Sequence, residues 1–300
     1  MPSAKGHRHW WQNQTHLNKT RMNTKLETAV WRKVRQCLAV KASRAMVHLL
    51  ASLWCVAAAF ADKPAPAGMA LVPQGIYQPI IRSRTEAAKV PVNAFYLDAT
   101  PVPNKEFLKF VRAYPCWQPS QVRRNFADES YLKNWSGDLE LGSHAPPDAP
   151  VVYVSWFAAK TYAQWRGKRL PTIAEWEYAA GASMTRPDGQ NDPAFKGEVL
   201  RWYADSTATE FMPVEEGTAN FYGIRNLHGL VWEWVGDFNS AMFSGDSRDG
   251  GVDGRLFCGA GAQSAQKVDD YPAFMRYAFR SSLRADYCIH NLGFRCAKDL

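Results

Sequence analysis

Gly223-Ile-Arg-Asn-Leu-His-Gly-Leu-Val-Trp-Glu-Trp-Val-Gly-Asp237 sets Asn226, Gly229, Glu233 and Asp237 among Leu227, Leu230, Val231, Trp232, Trp234 and Val235. A half-buried strand alternates polar and apolar side chains, and this stretch does so only loosely. Carboxylates and an amide beside two indoles must be paired, solvated or bound to a metal, because burying them bare is costly. Oxygen donors at Asn226, Glu233 and Asp237, with flexible Gly229 and Gly236 nearby, suit a hard cation such as calcium. The same residues also suit a solvated turn leading into an aromatic core strand, since no EF-hand-like loop is present.

Around this stretch the chain is rich in rings: 12 Trp, 12 Tyr and 15 Phe in 300 residues, with 20 Gly and 18 Pro. That mixture points to a loop-rich, aromatic-packed body rather than a helical bundle. The net charge of +8 is unevenly placed. Residues 1–61 carry ten Lys and Arg and one acid, which leaves 26 bases against 27 acids in residues 62–300. The body is near neutral and offers no basic face for nucleic acid.

The bases of the first segment, among them Lys41 and Arg44, precede an apolar run from Met46 to Ala61 that closes on Ala59-Phe60-Ala61. This is the layout of a secretory leader with a small-x-small cleavage pattern. The run is shorter than the roughly 20 residues of a membrane span. Residues 1–61 are therefore expected to be a leader and 62–300 the exported body, periplasmic or secreted, with no stable membrane span after cleavage. Cys116, Cys258, Cys288 and Cys296 remain in that body, and an oxidising compartment favours one or two disulfides among them. No Cys-x-x-Cys or Cys-His spacing argues for zinc.

Upstream, Gly68–Tyr77 reads as a strand with a Pro-Gln-Gly turn, and Val90–Tyr96 as a second strand ending near Asp98. Asn104 is placed to cap a helix with Phe107, Phe110 and Val111 on its apolar stripe. Residues 116–150 show no period, but Trp117, Phe126, Tyr131 and Trp135 predict a packed excursion. Val151–Ser155 reads as a buried strand whose Ser155 caps a helix running to a stop at Gly167. Thr172-x-x-Glu175 is a capping box that opens a second helix, ending at Gly181. Residues 183–220 are polar and Gly/Pro-containing, with Trp202-Tyr203 as their aromatic cluster, and 244–254 reads as a Gly/Asp/Ser loop. Arg255–Gly259, Phe274–Leu283 and Gly293–Ala297 read as closing strands.

No phosphate-binding, dinucleotide, GxSxG or HExxH motif is present. His144, His228 and His290 lie far apart and read as surface or hydrogen-bonded residues. Arg276, Arg280, Arg284 and Arg295 concentrate guanidinium groups near the C-terminal end. They are expected to pair with acids at 237, 246, 249, 253, 269 and 270, or to hold a carboxylate or peptide backbone in a cleft. Arg280 and Arg295 are the candidates for that second role.

Four ordered blocks carry a family resemblance: Pro150–Trp156, Arg169–Ala179, Asn226–Trp234 and Leu292–Ala297. Together they resemble the sulfatase-modifying-factor family, the domain of formylglycine-generating enzymes, across about residues 68 to 299. The resemblance implies an α+β, C-type-lectin-like fold with little regular secondary structure. It also implies calcium, held by the Asn226 and Glu233 side chains and the carbonyls of Gly229 and Val231, with a second calcium site around residues 190–220.

The chemistry of the family needs two cysteines that hold copper(I), a metal suited to soft thiolates, and that oxidise a substrate cysteine with oxygen. The corresponding segment here, Gln263–Arg276, has no cysteine. The turn before it is Cys258-Gly259-Ala260-Gly261, and Ala163 stands where the family has a structural cysteine. No copper held in the family's manner is expected. Cys258 and Cys288 flank the missing pair and are the remaining catalytic candidates; they are alternatively joined to each other, or one of them to Cys296, as a disulfide. Arg280 matches the family's substrate-cleft arginine. Two functions follow as expectations. One is an accessory, maturation or binding factor for a protein or peptide partner, such as a copper enzyme under maturation. The other is an oxygen-dependent oxidoreductase of a protein or small metabolite with an altered site.

Overall fold

The computed structural model describes residues 65–79, 87–189, 192–204, 211–239 and 271–300. The expected leader, the 244–254 loop and the Arg255–Gly259 strand lie outside these. Residues 65–300 group as one unit.

Gly68–Tyr77, expected as one strand, is two: β1 (Met69–Val72) and β2 (Gly75–Tyr77), which join different sheets. The next expected strand likewise divides into β3 (Val90–Val92) and β4 (Phe95–Asp98). β1 and β4 pair antiparallel, with Val72 opposite Phe95, and β4 then pairs with β7 (Ala297–Asp299), with Leu97 opposite Ala297. β2 and β3 form a separate antiparallel pair. The central stretch supplies β5 (Trp232–Trp234), which runs parallel to β6 (Leu292–Phe294).

α1 spans Asn104–Ala113 and buries Phe107, Phe110 and Val111. Asn104 does not cap it. Its side chain is buried, donates to the Pro146 and Ala149 carbonyls and accepts from the Trp135 indole at 3.1 Å. In this way α1 is tied to the 116–150 excursion, which is packed as expected through Trp117, Tyr131, Leu132 and Trp135. Phe107 stacks on Tyr162 at 5.6 Å, and Tyr162 meets Phe294 edge-on at 5.3 Å. Burying each such side chain stabilises the fold by roughly 1.5–3 kcal/mol.

α2 (Trp156–Trp165) begins as the sequence predicts, with the Ser155 hydroxyl accepting from the Ala158 N–H. Gly167 ends it at φ +65°, and the Lys168 N–H reaches back to the Ala163 carbonyl at 2.8 Å. α3 (Ile173–Ala180) carries the full Thr172–Glu175 capping box. Two expectations fail here. Residues 151–155 form no strand, because Tyr153 sits at φ +58° and its backbone bonds go to Leu132 and Ile289 rather than to a ladder. The polar 183–220 segment supplies α4, Pro193–Ala204, with the Asp192 carboxylate accepting from the Ala194 N–H. Of residues 274–283, read as a strand, all but Leu283 belong to α5 (Tyr271–Ser282).

A cleft at the head of α3 and the pairs beneath it

α3 places two adjacent residues on opposite errands. Glu177 is buried and accepts from Arg276 Nε and Nη2, both at 2.8 Å, and from Arg280 Nη1. Arg276 and Arg280 lie one turn apart on α5 and so face the same carboxylate. Burial alone would raise the Glu177 pKa; the charges of Arg276 and Arg280 outweigh it and hold the group down to about 2. Trp176 lies under Arg280, 4.9 Å from guanidinium carbon to ring centre, and its indole N–H donates to Glu233 Oε2 at 2.7 Å.

Glu233 forms the second pair. Arg295 Nε and Nη2 both reach its carboxylate at 2.8 Å, and neither side chain has any solvent exposure. Arg295 Nη1 donates to the Asp98 carbonyl and Nη2 to the Arg225 carbonyl. Four segments of chain are thus fastened through one guanidinium. Among the described residues the ion-pair partners are Glu177, Glu233 and, for Arg284, Asp286; the expected acids at 246, 249, 253, 269 and 270 lie outside the described residues. Arg295, expected to bind a ligand, is fully buried and committed inside the protein. Sequence reading missed Glu177 altogether. Its signal was the four-residue spacing of Arg276 and Arg280, which has meaning only once α5 is known to be a helix.

The calcium expectation can be tested on the same residues. Asn226 sits at φ +57°, and its amide nitrogen donates to the Val214 and Glu216 carbonyls. Calcium takes six to eight oxygens. Glu233, the anionic member of the expected set, already receives donors on both oxygens and is neutralised by Arg295. As arranged, the Asn226 Nδ2 bonds leave its Oδ1 as an oxygen ligand, and calcium held by it, the Gly229 and Val231 carbonyls and Glu233 requires Arg295 to give up part of the carboxylate. Among the described residues no cluster of three or more His, Cys, Asp or Glu is placed to hold a metal.

The cysteines are scattered. Cys116 is exposed, Cys288 and Cys296 are buried, and all three are free thiols, so the expected bonding of Cys288 or Cys296 into a disulfide is not seen. Cys258 lies outside the described residues. Burial first, and then the charge of Asp128, pushes the Cys288 thiol up; burial and Asp98 do the same for Cys296. Such thiols are poor nucleophiles and poor ligands for a soft metal. His228 is hydrogen-bonded, as expected, through Nε2 to the Ala180 carbonyl. Burial and then the charge of Arg276 bring its pKa down to about 4, so it is neutral at pH 7.

One cleft of about 230 Å³ opens at the head of α3, walled by Tyr77, Ile173, Phe238 and Tyr277, with Arg280 and Asp237 in its lining. Asp237 Oδ1 accepts from the Ile173 N–H at 2.7 Å, which anchors the acid at the start of α3. Burial raises the Asp237 pKa. A cleft with a guanidinium on one side and a carboxyl on the other, between aromatic walls, offers a donor and an acceptor to a peptide main chain. No cysteine among the described residues lines it.

Comparison with known proteins follows the same line. The model of the sulfatase-modifying factor enzyme 1-like domain matches residues 56–300. A formylglycine-generating enzyme from Bos taurus is 30% identical over 283 residues, covering 78% of this chain and 75% of its own length. A Bos taurus protein called inactive C-alpha-formylglycine-generating enzyme 2 is 28% identical over 257 residues, covering 70% and 78% respectively. Among solved structures, PvdO from Pseudomonas aeruginosa superposes with a TM-score of 0.47 at 20% identity, covering 77% of this chain and 94% of PvdO.

Proposed function

The chain belongs to the sulfatase-modifying factor enzyme 1-like family, with its α+β, C-type-lectin-like fold, and on that footing we propose that it is an exported accessory or binding factor. In this reading it holds a peptide segment of a periplasmic partner, such as a copper enzyme under maturation, in the cleft at the head of α3. Arg280 donates to a main-chain carbonyl or a carboxylate, and Asp237 accepts from an N–H. The observation that carries the reading is the absence of any cysteine from Gln263 to Arg276. The buried thiols of Cys288 and Cys296, both disfavoured as thiolates, lend it support. One relative bears the word inactive in its name and another the name of an enzyme, so family membership alone is compatible with either function.

The test uses a labelled peptide containing Cys-x-Pro-x-Arg, incubated with the protein, copper(I) and oxygen. The expected result is binding with no change of mass, and loss of binding in Arg280→Ala. Conversion of the cysteine to an aldehyde, read by mass spectrometry, would replace this reading with the oxidoreductase one.

A further inference from the structure

A second cavity, also about 230 Å³, opens at the other end of α3. α3 has eight residues, so at 1.5 Å per residue the two sites are about 10 Å apart along its axis. Its apolar part is formed by Phe195, Val199 and Trp202 from one face of α4, together with Leu227 and Ile224. Those three α4 residues fall at i, i+4 and i+7, the spacing that turns one stripe of a helix toward a common surface. Phe195 is further fixed edge-on against the His228 ring at 5.9 Å, and Trp202 against Tyr203 at 4.5 Å. The cavity is therefore walled by side chains that are themselves packed.

The polar groups of the lining divide sharply. Asn220 donates to the Ala179 carbonyl and accepts from the Tyr222 and Ile224 N–H groups. Asn226 donates to the Val214 and Glu216 carbonyls. His228 is bonded to the Ala180 carbonyl. The amide groups are spent on the fold, but the His228 Nδ1, buried, has no hydrogen-bond partner, and with Nε2 donating to a carbonyl it is left as an acceptor. What remains at the cavity is that His228 Nδ1, Thr218 and the Glu198 carboxylate, one turn from both Phe195 and Trp202 on α4, and no Lys or Arg among the described residues lines the space. A cavity whose one formal charge is the exposed Glu198 carboxylate favours a cation over an anion: an ammonium group would meet the carboxylate, the face of an indole and the His228 Nδ1 acceptor.

We propose that this cavity is a binding site for a small organic cation, an amine with a flat apolar body, whose ammonium group meets Glu198 while the body lies between Phe195 and Trp202. The volume is below the roughly 300–1,000 Å³ of drug-sized pockets, so the ligand is a single-ring molecule. This site uses none of the groups assigned to the peptide cleft, and either can fail without the other.

The experiment titrates the full chain, labelled with nitrogen-15, with benzylamine, benzyl alcohol, benzoate and calcium chloride, following the Trp202 indole N–H resonance. Benzylamine is expected to shift that resonance saturably, benzoate to leave it in place, and benzyl alcohol to bind at least tenfold more weakly. Glu198→Gln, on an exposed helix position where folding is not at stake, is expected to weaken benzylamine at least tenfold. Phe195→Leu should weaken benzylamine and benzyl alcohol alike. Equal binding of benzoate, unchanged affinity in Glu198→Gln, displacement of benzylamine by calcium, or no saturable shift with any probe would each overturn the proposal.

Discussion

The Arg295 guanidinium lies against the Glu233 carboxylate with no solvent reaching either side chain. Removing one partner of a buried pair leaves the other charge uncompensated, at about 3–5 kcal/mol. Arg295→Met is therefore expected to lower stability by that amount in urea unfolding. The double variant Glu233→Gln with Arg295→Met, which removes both charges, should recover at least half of the loss. Equal cost in the single and double variants would show that packing, not charge, is what Arg295 supplies.

Because Arg295 already neutralises Glu233, stability should not depend on a divalent cation. An ion bound at a hundred times its dissociation constant adds about 2.7 kcal/mol, which is several degrees of melting temperature for a domain of this size. Treatment with a chelator is expected to move the melting temperature by less than about 1 °C, and metal analysis of the dialysed protein to find no stoichiometric calcium. A calcium-dependent rise of several degrees would mean that Arg295 yields its place to the ion.

The Arg276–Glu177–Arg280 cluster makes a pH-dependent contribution whose sign is fixed. The folded Glu177 pKa, about 2, lies below the ordinary 4.5, so the folded state binds its proton less readily than the unfolded chain. The contribution is complete above about pH 4.5 and is lost as pH falls toward 2. Its size is on the order of 3 kcal/mol, from 1.36 kcal/mol per unit. Stability measured from pH 6 down to pH 2.5 should fall less steeply in Glu177→Gln than in the parent protein, from a lower starting value.

Gly217 holds φ at +92°, and a Cβ there would lie 2.4 Å from Asn226 Oδ1. Substitution with alanine is expected to cost about 2 kcal/mol, from backbone strain together with displacement of the Asn226 side chain. The check is a thermal melt beside Gly197→Ala, where nothing lies within 4 Å of the added carbon and φ is not positive. That second change, inside α4, should be neutral or stabilising.

The helix boundaries that were legible in the sequence are those written in local chemistry. Ser155 and the Thr172–Glu175 box act within three residues of themselves, and Gly167 needs only its own φ. Residues 151–155 misled because an apolar run is common to strands and to buried irregular chain, and the left-handed turn at Tyr153 is imposed by partners at Leu132 and Ile289. α5 misled because its aromatic content suits a strand. The pattern that distinguished it, Arg276 with Arg280, points at an acid about a hundred residues away. α4 was legible in Asp192-Pro193 followed by Phe195, Val199 and Trp202, and went unread among polar neighbours. For the candidate site, Arg280 was nameable in advance. Its partner Glu177 was not, since no sequence rule says which of the acids a folded chain will bring beneath it.

The parallel pairing of Trp232–Trp234 with Leu292–Phe294, and the antiparallel pairing of Phe95–Leu97 with Ala297–Asp299, bear on when this protein can fold. A ribosome would have to deliver residue 299 before the earliest sheet could gain its third member. Until then the aromatic side chains destined for the interior stay uncovered, since contacts of such long sequence separation form slowly. Both sheets are therefore completed only when the 292–299 strands dock, and the aromatic interior closes in that same step.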